Sequence, residues 1–175
     1  SAKIAMPKAT DPIRINGCRD LGAEIILCSD IAHAFSAMET FSIDEDRTIM
    51  HPFEGRHMTL GSATCGVEFV TAHPEIDVFI IPVGGGGLIS GMATAIKLIK
   101  PEAIVIGVEP YGADSMFQSL KVGQPVKLDQ VTTIADSLGS PLSMPYSYEI
   151  VSQQVDQIVR VEDKALRESM LTYQD

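Results

Sequence analysis

Short apolar runs of strand character alternate along the chain with segments whose apolar positions recur every three or four residues. Lys3 to Met6 reads as a strand. Thr10 and Asp11 then offer an N-cap, Pro12 suits a first helical turn, and Gly22 can close the helix. Glu24 to Cys28 is the next strand. Ile31, Ala34, Phe35, Met38 and Phe41 follow at helical spacing behind Asp30 as a cap. Thr48 to Phe53 reads as a third strand, and Gly61 to Thr71 as a helix with Thr64, Val67 and Val70 on one face. Val78 to Val83 is wholly apolar, the pattern of a strand buried on both faces of a parallel sheet. A helix from Leu88 to Ile99 ends before Pro101, and a strand from Ala103 to Val108 ends at Glu109. A helix near Ala113 to Leu120, a strand Gln157 to Val161 and a helix Asp163 to Tyr173 complete the order. This alternation predicts an α/β fold, a mainly parallel sheet with helices on both faces. The polar stretch Glu54, Gly55, Arg56, His57 separates two apolar blocks, so the division is expected between residues 1–55 and 56–175.

Composition narrows the function. The chain has 175 residues with 13 basic and 23 acidic side chains, a net charge of −10. Without a basic cluster it repels phosphate backbones, which excludes nucleic acid as a partner. An apolar fraction of 45% excludes a disordered chain. Cys18, Cys28 and Cys65 form no C-x-x-C pair and suit a reducing cytoplasm. Val78 to Ile96 carries no charge, but Pro82 and the glycines within it would break a lipid-exposed helix. A buried strand, a turn and a helix explain this run without a membrane.

That turn is the most informative feature. Four consecutive glycines, Gly84 to Gly87, join a buried strand to a helix. A bare tight turn there usually needs one or two glycines, and each further one adds ordering entropy. Without Cβ atoms, successive N–H groups can converge on one oxyanion, and the helix beginning at Leu88 adds unpaired amides and the positive end of its dipole. The better-known phosphate templates fail. A Walker A lysine is replaced by Met92; G-x-G-x-x-G leads to Ile89 or Ser90; a nucleophile elbow at Ser90 would need glycine where Leu88 stands. Glu109, at the end of the next strand, occupies the place of a ribose-binding acid and keeps a non-catalytic nucleotide- or phosphate-binding module open as an alternative. His51, Glu54 and His57 are not in H-E-x-x-H order, and Pro52 interrupts any helix across them, so they read as strand-end packing and surface. Met38, Met92, Met116 and Met170 fall on apolar helix faces and read as core.

Ordered along the chain are Met6-Pro7, Gly22-Ala23-Glu24, His51-Pro52-Phe53, Pro82 to Leu88 (PVGGGGL), Gly107 to Pro110 (GVEP), Thr133 to Asp136 (TIAD) and Glu162-Asp163. With this set the sequence resembles the pyridoxal-phosphate (PLP) enzymes of the tryptophan-synthase-β fold type, in particular the threonine/serine dehydratase and serine racemase group. The resemblance implies that 1–55 is part of a small α/β domain and 56–175 the central part of a PLP-binding large domain. It assigns the cofactor phosphate to the amides of Gly84, Gly85, Gly86, Gly87 and Leu88. It implies a small β-hydroxy amino acid as substrate, converted to a 2-oxo acid and ammonia, or racemised, by a protein that is a homodimer when full-length.

The family's cofactor-bearing lysine lies in an S-x-K-x-R motif before the Met-Pro strand. Ser1, Ala2, Lys3 imitates it superficially, but Ala5 replaces the arginine and Met6-Pro7 align Lys3 with a small-domain strand. The resemblance therefore assigns no catalytic residue in this chain and implies a fragment, inactive alone, of a longer enzyme. Ser137 follows Asp136 where relatives have glycine. Some relatives bind a divalent cation through the GVEP glutamate, a carbonyl four residues on and an acid two further. The corresponding positions are Glu109, Ala113 and Ser115, so Mg²⁺ or Ca²⁺ is expected only through Glu109 and Ala113.

Overall fold

A computed structural model describing residues 1–173 divides the chain into two units, Ser1–Met50 and the residues from His51 on. In the first unit β1 (Lys3–Pro7) and β2 (Glu24–Cys28) run parallel, with Lys3 opposite Glu24 and Pro7 opposite Cys28. The connecting helix α1 (Pro12–Asp20) is capped by Asp11, whose Oδ1 accepts the Ile13 amide at 2.8 Å. Pro12 occupies the first turn, where its missing N–H is not needed. Asp30 caps α2 (Ile31–Asp44) by accepting the His33 amide at 2.9 Å. That amide, the His33 ring and the Ser29 hydroxyl together hold the Asp30 carboxyl down to a pKa of about 2. Lys3 lies 2.5 Å from Glu45 Oε1 and 3.4 Å from Glu24 Oε1, the position of a strand residue tied to its own unit.

The second unit holds α3 (Arg56–Ala72), β3 (Val78–Pro82), α4 (Gly87–Ile99), β4 (Ile104–Pro110), α5 (Ser115–Val122), α6 (Pro145–Gln154), β5 (Gln157–Val161) and α7 (Asp163–Thr172). Its sheet has the order β3-β4-β5, with both pairs parallel. Val83, Ile89, Ile96, Val105, Met116 and Val151 are fully buried and form the centre of its core. Helices α3 and α4 pack closely because glycine stands at their contact: a Cβ on Gly66 would come 2.8 Å from the Met92 carbonyl oxygen. Register places Pro82 opposite Val108 and Glu109 opposite Arg160. The glycine bend, Glu109 and the start of α7 therefore share the carboxyl edge of the sheet. No helix among the described residues is long and apolar enough to cross a membrane.

Several sequence expectations are corrected. Residues 48–53 form no strand: Pro52 has no amide to donate, and the Phe53 amide donates to His51 Nδ1 at 3.3 Å. The division falls at Met50/His51 rather than at 55, because Glu54 is hydrogen-bonded to α6 in the second unit. The inward face of α3 is Thr59, Ser62, Gly66 and Val70, whereas Thr64 and Val67 are exposed. β3 is an edge strand of the described sheet, and its Val78 and Ile80 are 45% and 69% exposed, so it is buried on one face only. Met170 is exposed, unlike Met92 and Met116, which are buried. Helix α6 was not expected from the sequence.

Candidate functional site

The bend begins where β3 leaves the sheet, with the Val83 amide donating to Val108 O at 2.8 Å. Gly85, Gly86 and Gly87 are buried. Gly86 has φ +94°, a left-handed conformation that strains any residue with a Cβ, and serves as the N-cap of α4. The space a side chain would fill is already taken. At Gly85 a Cβ would overlap the Phe53 ring, and at Gly87 it would come 2.7 Å from the Phe53 Cα. Among the described residues, the amides of Gly84, Gly85, Gly86, Gly87 and Leu88 have no hydrogen-bond acceptor. Buried donors without partners are rare in folded proteins. Several in succession at a helix N-terminus make the chemistry of an anion cradle that needs no cationic side chain. The residues present therefore fit a phosphate group.

Three neighbouring elements hold this bend. The first is the Phe53-Glu54 segment with the start of α6. Glu54 Oε1 accepts the Tyr146 amide at 2.8 Å, and Oε2 accepts the Ser147 amide at 3.0 Å. The fully buried Ser147 hydroxyl lies 2.7 Å from Glu54 Oε2 and 2.8 Å from Phe53 O. The second is Ser90, also fully buried, whose hydroxyl donates to Gly86 O at 2.6 Å and lies 3.4 Å from Ser147 O. The third is the segment containing Thr133 to Asp136. Asp163, opening α7, accepts the Thr133 hydroxyl at 2.7 Å and the Ile134 amide at 3.0 Å, which lowers its pKa chiefly through the Thr133 bond. Leu138, further along, would come 3.1 Å from a Cβ on Gly84. His51 accepts the Phe53 amide at Nδ1, which leaves its ring proton on Nε2, and burial lowers its pKa. Of the residues that secure the bend, Ser90, Ser147 and Asp163 carried no assigned role in the sequence. Pro145, at the first turn of α6, was the available signal for that helix.

Glu109 is fully buried, and its two oxygens accept the Met116 amide at 3.0 Å and the Phe117 amide at 2.7 Å. Burial raises its pKa to about 7, against the partial opposition of those two amides. It caps α5. Inaccessible and so engaged, it is not placed as a ribose-binding acid. Nor do Glu109 and Ala113 assemble a metal centre. Ser115 contributes only a neutral buried hydroxyl, which has no partner among the described residues. The nearest acid, Asp114, is taken by Arg160 Nη1 at 2.9 Å. The Arg160 guanidinium itself lies 3.8 Å from the Phe117 ring centroid and 4.5 Å from that of Tyr111. A hard divalent cation needs six or more oxygens, and no group of three or more His, Cys, Asp or Glu among the described residues could hold a metal ion. His51, Glu54 and His57 likewise form no such group.

The family model described as pyridoxal-phosphate dependent enzyme matches residues 1–174. A phenylserine dehydratase from Ralstonia pickettii is 43% identical over 169 residues, 97% of this chain and 52% of that protein. An L-threonine ammonia-lyase from Thermotoga maritima is 34% identical over 171 residues, 97% of this chain and 43% of that protein. A solved structure of maize serine racemase superposes with a TM-score of 0.92 at 30% identity, over 98% of this chain and 52% of that one. The chain thus spans about half the length of these relatives.

Proposed function

Since the chain belongs to the family of pyridoxal-phosphate dependent enzymes, we propose that the intact protein is an ammonia-lyase of serine/threonine-type β-hydroxy amino acids, releasing a 2-oxo acid and ammonia. The observation that carries this reading is the run of acceptor-free amides from Gly84 to Leu88 at the carboxyl edge of a parallel sheet. There these amides would hold the cofactor's phosphate. When bound, the cofactor supplies an electron sink for the pair left at Cα as its proton departs. The chain's own residues orient it: Phe53 closes one side of the bend, Ser90 fixes the Gly86 carbonyl, and Asp163 anchors the Thr133 segment. No residue of this chain is assigned as acid, base or covalent anchor. The same reading carries a homodimer in a reducing compartment, with which the free thiols Cys18, Cys28 and Cys65 agree.

The test is an assay of the intact protein with L-serine, L-threonine and 3-phenylserine, following ammonia and 2-oxo acid together. Equal release of both products from at least one substrate is expected. A second reading, racemisation of serine, rests on the likeness to the maize enzyme; D-serine formed without ammonia would favour it. Turnover of none of the three substrates contradicts both readings.

A further inference from the structure

We propose that Glu54 is a positioning residue for the phosphate cradle, acting through Ser147 and Ser90 on the orientation of the Gly86–Gly87 peptide; the inference rests on the cofactor reading above. A peptide group is planar, so the direction of the Gly86 carbonyl fixes the direction of the Gly87 N–H. That carbonyl is held by Ser90 twice, accepting its amide at 3.0 Å and its hydroxyl at 2.6 Å. The Ser90 hydroxyl, its one proton given to Gly86 O, lies 3.4 Å from Ser147 O, so the first turn of α6 sits directly against the group that holds that carbonyl. Glu54 sets that place. Its carboxylate satisfies the Tyr146 and Ser147 amides and lies 2.7 Å from the Ser147 hydroxyl. These are the orphan donors of a helix whose N-cap, Met144, has no capping side chain. The negative charge also meets the positive end of the α6 dipole.

The contact is close enough to transmit a shift. A Cβ on Gly86 would come 3.1 Å from the Ser147 Cβ, so α6 lies directly against the bend. Ser90 and Ser147 are fully buried, so a bond lost at either hydroxyl is poorly replaced by water. Among the described residues, Glu54 bonds the start of α6 and not the amides of Gly84 to Leu88. Its effect is therefore indirect and specific to ligands that carry a phosphate.

The test compares PLP with pyridoxal, which lacks the phosphate, as ligands of the cofactor-free intact protein. Wild type is expected to prefer PLP. Glu54→Gln keeps the shape of the side chain but loses one acceptor oxygen. It is expected to weaken PLP binding about tenfold, the scale of one charge-assisted hydrogen bond, while pyridoxal affinity changes less than about twofold. Ser147→Ala, which retains the helix amides, should move PLP in the same direction by about threefold and carries the comparison if Glu54→Gln does not fold. The ³¹P resonance of bound PLP should shift in both variants. Equal losses for PLP and pyridoxal, or unchanged affinity for both, overturn the inference. A wild type that binds the two ligands equally overturns the cofactor reading itself, and the inference with it.

Discussion

Gly85 shows how a site without functional side chains is specified by what surrounds it. Its missing Cβ is the space occupied by the Phe53 ring. Gly85→Ala should displace the bend at an overpacking cost of about 1–3 kcal/mol and weaken PLP binding at least about tenfold, read by fluorescence titration; wild-type affinity would contradict this. Glu109 makes a different demand. Its pKa stands at about 7 against an ordinary 4.5 because burial removes water from the charge. The folded protein keeps this proton over a range where the unfolded chain has released it. Its contribution to stability is therefore fully present below about pH 4.5 and falls by roughly 3 kcal/mol as pH rises through about 7. Glu109→Gln has no such equilibrium. In denaturant unfolding at about pH 5 and pH 8, wild type should lose stability relative to the variant; parallel profiles contradict the assignment.

At the level of elements, the glycine bend hangs on helix packing. Gly91 in α4 faces α3 so closely that a Cβ there would come 2.5 Å from the Ala63 backbone nitrogen. Gly91→Ala should separate the helices and lower unfolding free energy by about 1–3 kcal/mol, measured by denaturant titration; an unchanged midpoint would show that the helices can yield. Asp163→Asn should free the Thr133 segment and raise its amide hydrogen exchange while leaving that of α4 unaltered, since among the described residues the Asp163 carboxylate bonds the former and not the latter. Protection unchanged in both would contradict that anchoring role. These elements differ in how legible they were. Asp11, Asp30 and Pro12 announced α1 and α2 because capping is local chemistry. Residues 48–53 have strand-like composition but no strand to pair with, and pairing is not a local property. Helix α6 escaped notice because it buries only Ser147 and Val151.

Across the whole molecule, the sequence revealed the bend because four adjacent glycines are costly without a purpose. It concealed the support because Glu54 and Ser147 are 93 residues apart and meet only after the fold forms. The two units each contain a parallel sheet, and the chain covers about half of its relatives' length. The five amides proposed to hold the phosphate all lie in the second unit. The most direct test is a titration of the cofactor-free intact protein with inorganic phosphate, followed by amide resonances in ¹H–¹⁵N spectra. The signals of Gly84, Gly85, Gly86, Gly87 and Leu88 should shift together and saturate at a common midpoint. Saturable shifts confined to other amides, with these five unmoved, would contradict an oxyanion site built from the main chain at the end of β3.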